Sequence, residues 1–477
     1  MSSALPFRLI PWCFFVLAAC PGSAAGSAAE ASEPPPAIRI PGLDEFSRET
    51  ELRATKKGKV HVHGLVATIN YKEFAKRKIE ANSLKLPGQA TGFKDSFEVT
   101  LALQPRPAPL AVILLGFAQE ADDKLAKAWM HDAYGAGCHV VTFPSVFANG
   151  FNEASGHGVA GNVEAEAGAV ARLVDALLKH REDGKAALRE RVTSVRLLGA
   201  SYGGILALNL MKHPGSAAWP VDRVLVLSPP VSLCTAARRL DECFQNDLPL
   251  FGPSLIKLLD GFTPDENQPN AREESLMRAG IAYDFLGALE DILKSNERRY
   301  RPGMLNEFKA RDEEPEARKA REKEARAVKD RHELEKKELK ARFPQRDDDE
   351  KQKLAYEDAR RDLEDRQKVE KEKLKRTLGD SACWTFTDYL QRFCAPYWKK
   401  SPEELCAKGE IAALLANPPP YVEVVIARDD PLNEPKELDA LCQKCAGPSL
   451  IILPHGGHLG FAGTDWVQKT VREMFKP

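Results

Sequence analysis

No charge of one sign predominates in this chain: 68 Lys and Arg stand against 69 Asp and Glu, for a net charge of -1. Nucleic acid as the main partner would favour a basic surplus, and there is none. Cysteine is scarce, at 10 in 477 residues, which excludes a small disulfide-built scaffold. The CxxC from Cys442 to Cys445 has no second CxxC to complete a zinc site and no thioredoxin-like unit around it. Long apolar runs are missing too. The run from Leu9 to Ala19 is too short to span a bilayer, and no other run reaches that length, so the body is expected to be soluble. What is present is enough apolar sequence, 43 %, to build a large core, which excludes global disorder.

The N-terminal run follows Arg8 and fits the apolar region of an export signal, residues 1–19. It ends in Leu17-Ala18-Ala19-Cys20, which resembles a bacterial lipobox with Cys20 as the lipidated residue. Cleavage further on, after Ser27-Ala28-Ala29, is the alternative and would leave a secreted protein. Residues 20–54 are rich in Ala, Gly, Ser, Pro and Glu up to about Pro41, a tether that cannot bury a core. The expected location is exported: periplasmic, or anchored to a membrane through Cys20.

From there the pattern alternates. Strands are predicted over Val60–Asn70, Phe97–Gln104, Leu110–Gly116, His139–Pro144, Val192–Ala200 and Asp222–Ser228, and helices over Asp122–Tyr134, Asn162–His180 and Tyr202–Lys212. Continuous apolar runs such as LAVILLG suit strands buried on both faces of a parallel sheet. The alternation stops for about two hundred residues and returns with strands at Tyr421–Ala427 and Pro448–Leu453. The predicted fold class is therefore α/β, with a mostly parallel sheet. One domain comprises 55–230 and 420–477, and 231–419 is an inserted helical cap. Within the cap, residues 311–378 carry dense, balanced charge, with many Glu/Lys and Glu/Arg pairs three or four apart. They are expected to form a solvated helical hairpin, read as a spacer or as a docking arm for a protein partner.

The chemistry centres on Gly199-Ala200-Ser201-Tyr202-Gly203, a G-x-S-x-G between a predicted strand and a predicted helix. Serine on such a turn is presented at the carboxyl edge of the sheet, where ligand sites of α/β folds gather. It needs a base, because its free hydroxyl is barely ionised at neutral pH. His458, in Gly456-Gly457-His458-Leu459-Gly460-Phe461, is the candidate, with His455 as competitor. An acid to orient it follows the strand YVEVVIA at Asp429-Asp430. Adjacent carboxylates after a strand also serve as turn formers, so the pair leaves two candidates.

These segments together resemble the α/β-hydrolase superfamily, of the serine esterase and lipase type, over about half the chain. The elbow GASYGG and the histidine segment GGHLGF carry the resemblance most specifically, and the order Ser201, Asp430, His458 is the superfamily's. The resemblance implies an α/β-hydrolase fold, with Ser201 as nucleophile, His458 as general base and then acid, and Asp430 holding the imidazole. Asp429 stays open as the acid, although Ala427, three places before Asp430, stands where the superfamily commonly has Gly. The oxyanion hole would use the backbone N–H groups of Tyr202 and Phe117. A His-Gly often present in that loop is replaced here by Leu115-Gly116-Phe117.

The implied activity is cleavage of a small-molecule or lipid carboxylic ester through an acyl-enzyme, with no metal or organic cofactor. A peptidase or thioesterase with the same triad, or a non-catalytic membrane-tethered binding protein on this scaffold, are the alternatives. The remaining signals are weaker. His61 and His63 share one strand face without a third ligand and read as surface. His157 is a candidate for the pocket mouth. Phe143, Phe147 and Phe151 read as packing rather than an acyl site. By spacing, Cys234 with Cys243 is a candidate local pair, Cys442 and Cys445 read as a structural bond or as free thiols, and Cys383, Cys394 and Cys406 cluster in the insertion, leaving Cys138 over.

Overall fold

The computed structural model describes residues 79–156, 158–181, 186–247, 315–343, 385–445, 450–453, 456–462 and 465–476, with parts of 285–296 and 356–367. The export signal, the tether with Cys20, the strand predicted over Val60–Asn70 with His61 and His63, and also His157, Cys383 and His455 lie outside the described residues.

Eight strands form one sheet. They are β1 (Asn82–Leu86), β2 (Phe97–Ala102), β3 (Ala108–Leu114), β4 (His139–Thr142), β5 (Val192–Ala200), β6 (Val221–Leu227), β7 (Val422–Ala427) and β8 (Leu450–Leu453). Their spatial order is β1-β2-β4-β3-β5-β6-β7-β8. Pairing is parallel from β4 to β8, while β2 runs antiparallel to β4 and β1 antiparallel to β2. All seven residues of β3 are buried, because helices cover both faces of the sheet. The strand's two-residue period divides them. Leu110, Val112 and Leu114 join the core shared with the helices Val163–Lys179 and Tyr202–Lys212. Ala111 and Ile113 join the core on the other face, with the helices Lys124–Gly135 and Asp465–Met474.

Each strand predicted within the described residues is present, within about two residues at either end. The sequence pattern does not predict β1. Its burial runs from exposed to buried over five residues, as suits a strand paired on one side only at the sheet's edge.

β6 and β7 are hydrogen-bonded neighbours, with Val224 opposite Val422, although nearly two hundred residues separate them in sequence. The chain between them leaves β6 at the carboxyl edge of the sheet and, because β7 runs parallel, re-enters the sheet at its amino edge. The helix Leu233–Glu242, directly after β6, is bonded by Cys234 to Cys406 in the helix Pro402–Ala407, across 172 residues. This corrects the pairing of Cys234 with Cys243 expected from spacing. Cys442 and Cys445 are thiols, one of the two states left open for them, and Cys138, Cys243 and Cys394 are thiols too. Local spacing favoured near neighbours, whereas the fold brings two helices from opposite ends of the excursion together. Asp241 adds a second tie, accepting hydrogen bonds from the Phe386 and Thr387 N–H groups at 2.7 and 3.0 Å.

Closing so long a loop contributes roughly 5 kcal/mol in the chain-entropy treatment. The Cys234→Ser/Cys406→Ser variant is therefore expected to melt roughly 5–10 °C below the parent. Identical melts with and without a thiol reductant would count against the bond.

The charged segment forms a 28-residue helix, Pro315–Arg342. Val328 and His332 are buried against Leu363 and Gln367 of the following segment. Gln367 Nε2 donates to the His332 carbonyl and to Glu335 Oε2, both at 3.0 Å, and Phe343 meets Tyr356 edge-on. The two segments thus pack on each other through a thin apolar and amide seam, with charged faces outward. Among the described residues, no helix is long and apolar enough to cross a membrane.

Candidate active site

β5 delivers its last residue, Ala200, into the core and passes directly into Ser201 and the helix Tyr202–Lys212. Ser201 has φ 52° and ψ -123°, a conformation costly for a residue with a side chain. The turn is over-determined by its neighbours. Ser201 N–H donates to the Leu227 carbonyl at 2.8 Å, and Gly204 N–H to the Ser201 carbonyl at 2.9 Å. A Cβ at Gly203 would stand 2.2 Å from the Leu114 carbonyl oxygen, and one at Gly199 would stand 2.4 Å from the Gly203 oxygen. Glycine at both places lets strand and helix approach closely enough to hold the serine in this shape.

The histidine loop is positioned from two sides. Asp429 Oδ1 accepts from Gly457 N–H at 2.8 Å, and Ser228 Oγ accepts from Leu459 N–H at 3.1 Å. Between those two anchors, His458 Nδ1 lies 2.9 Å from Asp430 Oδ2, and His458 Nε2 lies 2.9 Å from Ser201 Oγ. Asp430 Oδ1 also accepts from Leu432 N–H at 3.0 Å, which fixes the carboxylate plane. Ser201, Asp430 and His458 are all buried. A carboxylate at Nδ1 selects the tautomer with its proton there. The Nε2 lone pair is then aimed at the serine hydroxyl. The geometry separates the two adjacent acids: Asp430 faces the imidazole, and Asp429 holds the loop that carries it.

The loop after β3, Leu115 to Gln119, turns back over Ser201. Gln119 Oε1 accepts from Gly116 N–H at 2.8 Å, Ala118 adopts φ 54°, and Ser145 N–H donates to the Gln119 carbonyl at 2.9 Å. Gln119 thus braces the turn after β3. Phe117 is the next residue along, and its ring stacks on Phe285 with centroids 5.4 Å apart. Sequence reasoning overlooked Gln119, whose signal was only a polar residue three places after Gly116.

It also overlooked Glu166, on the helix Val163–Lys179. Tyr202 Oη donates to Glu166 Oε2 at 2.5 Å, inside the core. Burial pushes the Glu166 carboxyl up to about 7. Burial first, and the neighbouring carboxylate second, push the Tyr202 phenol well above its usual range.

Ser201 opens into a pocket. Its walls are apolar: Phe117, Phe147, Phe285 and Phe386 surround the serine, and Leu233, Ala236, Ala237 and Leu240 close the side formed by the helix after β6. Among the described residues, no Asp, Glu, Lys or Arg lines it. Phe147, expected as packing alone, is part of this lining, while Phe143 and Phe151 are core residues. Among the described residues, no three His, Cys, Asp or Glu side chains form a group that could hold a metal ion.

A mostly parallel sheet with a strained serine after its central strand, and acid and histidine on later strand ends, defines the α/β-hydrolase class. The alpha/beta hydrolase family matches this chain over residues 127–472. The chain belongs to that family. Solved structures to which the chain is similar include 2-hydroxy-6-oxo-6-phenylhexa-2,4-dienoate hydrolase from Rhodococcus sp., 15 % identical, covering 84 % of this chain and 100 % of its own, with a TM-score of 0.40. An esterase from Pyrococcus furiosus is 9 % identical over 85 % of this chain and 92 % of its own, with a TM-score of 0.38. A thermophilic esterase from Thermogutta terrifontis is 13 % identical over 82 % and 97 %, with a TM-score of 0.35. The search of curated proteins gives no match.

Proposed function

We propose that this hydrolase cleaves carboxylic esters whose group beside the carbonyl is apolar, through a covalent acyl-enzyme on Ser201. The observation that carries the reading is the buried series Asp430–His458–Ser201, with both hydrogen bonds at 2.9 Å, at the base of an apolar cavity. His458 Nε2 takes the proton as Ser201 Oγ attacks the carbonyl carbon. The oxygen gains charge and is met by the backbone N–H groups of Tyr202 and Phe117. His458 then gives its proton to the leaving alcohol, and a water activated by the same nitrogen releases the acid and restores the serine. Asp430 keeps the tautomer and stabilises the imidazolium formed in both halves.

The lining supports the substrate class. A charged acyl group would lose its hydration with no charged partner among the described lining residues, whereas an alkyl or aryl group gains by leaving water. A panel of p-nitrophenyl esters tests this. kcat/KM is expected to rise by at least tenfold from acetate to a mid-length alkyl or aromatic acyl group. A carboxylate-bearing acyl group of equal length is expected to fall below acetate. No turnover across the panel, with no labelling by a fluorophosphonate, would overturn the reading.

A further inference from the structure

The hydrogen bonds around Glu166 do not end at Tyr202. The segment between residues 389 and 398, which belongs to the chain inserted between β6 and β7, docks on the body through three donors. Tyr389 Oη and Cys394 Sγ reach the Ala160 carbonyl at 2.8 and 3.1 Å, and Trp398 Nε1 reaches the Val159 carbonyl at 2.8 Å. The next two N–H groups along the body, Gly161 and Asn162, both donate to Glu166 Oε1, at 2.6 and 3.2 Å. Glu166 Oε2 accepts from Tyr202 Oη. One buried carboxylate therefore connects the peptide on which the inserted segment sits to the residue that follows the nucleophile.

We propose that Glu166 is a positioning residue, one that couples seating of the segment 389–398 to the placement of the Tyr202 backbone N–H in the oxyanion hole. The inference rests on the reading of Ser201 as nucleophile. Its physical basis is that all three neighbours present donors. An ionised carboxylate can accept from all of them, whereas a protonated one carries a hydrogen of its own toward a donor. A tyrosine held at both its phenol and its backbone has little freedom left to move its N–H, and misplacement of a catalytic group by a fraction of an ångström is felt in rate. The gap between the two halves of the device is bridged by short bonds inside the core, so loosening of the docked segment is transmitted to the turn that bears the nucleophile.

The titratable groups facing this assembly are the Tyr202 and Tyr389 phenols and the Cys394 thiol; burial drives the Tyr202 phenol and the Cys394 thiol upward. Burial leaves Glu166 titrating at about 7. Above that value the accepting form prevails and the clamp is complete. As pH falls through it, the clamp loosens. The stability consequence has the opposite sense. A carboxyl whose folded value is raised weakens the fold as pH rises through that value, so Glu166→Gln, which removes the buried charge, is expected to fold.

The test uses full-length protein as wild type, Glu166→Gln, Tyr202→Phe and the double variant. Each is assayed on an ester and with a fluorophosphonate from about pH 5 to about pH 9. Each single change is expected to lower kcat about tenfold with KM within about threefold, and the double variant to be no worse than the single ones. The inflection that belongs to Glu166 should vanish from the pH–kcat profile of Glu166→Gln, leaving that of the general base. Unchanged kcat and profile in a labelled, folded variant, an effect on KM alone, or additive effects in the double variant would each overturn the coupling while sparing the nucleophile reading. Absence of label on the wild type would overturn both. If Glu166→Gln does not fold, Tyr202→Phe decides by the same kcat-against-KM comparison.

Discussion

Replacing Ser201 with Ala is expected to lower kcat/KM on an ester about 10⁴- to 10⁶-fold and to abolish fluorophosphonate labelling. The estimate follows from what the change leaves behind. The apolar pocket and the N–H groups of Tyr202 and Phe117, proposed to meet the oxyanion, remain and are expected still to bind substrate and stabilise some developing charge. The atom that attacks is gone, and His458 Nε2 loses the hydroxyl 2.9 Å away on which it acts. A loss of 10⁵ corresponds to about 7 kcal/mol of transition-state stabilisation, far more than any binding contact at this site could supply. Alanine also relieves little of the strain at φ 52°, because it too has a Cβ, so the fold is expected to persist. Steady-state kinetics with a melting curve on the same preparation provides the measurement. Retained turnover, or label that survives the change, would place the nucleophile elsewhere.

The second large effect separates two neighbouring acids. Asp430→Asn is expected to lower kcat about 10³- to 10⁴-fold, because an amide at Oδ2 can present a donor to His458 Nδ1 and select the wrong tautomer. Asp429→Asn is expected to change kcat by less than tenfold. Its partner is the Gly457 N–H, and an asparagine oxygen still accepts that bond. The two changes are alike in chemistry and adjacent in sequence, so any general effect on the loop should appear in both. A reversed order of effects would exchange their roles and displace Asp430 from the series.

Much of the scaffold was legible before any coordinates. β3 is apolar almost without interruption because both faces of the sheet are covered, and that pattern survives in sequence. The elbow was legible for a related reason. The strand, the glycines and the following helix are consecutive, so the local conditions that force a strained serine are written in adjacent residues. β1 left a fainter trace. An edge strand is held by backbone bonds on one side, and its side chains need not be apolar. The partner of Cys234 could not be read from spacing, because the pairing depends on where two helices 172 residues apart meet.

The amino-acid sequence by itself determined the alternation of strands and helices, the turn that carries Ser201, and the chain order of serine, acid and histidine. These follow from periodicity and from the conformational demands of neighbouring residues, which act over a few bonds. Only the tertiary structure decided which of two adjacent carboxylates faces the imidazole, which glutamine braces the turn after β3, and that Glu166 reaches Tyr202 from another helix. Contacts of that kind depend on side-chain direction across elements far apart in the chain. A rotation of one position in a loop exchanges a carboxylate that meets the histidine for one that meets the backbone, and no local pattern records the difference.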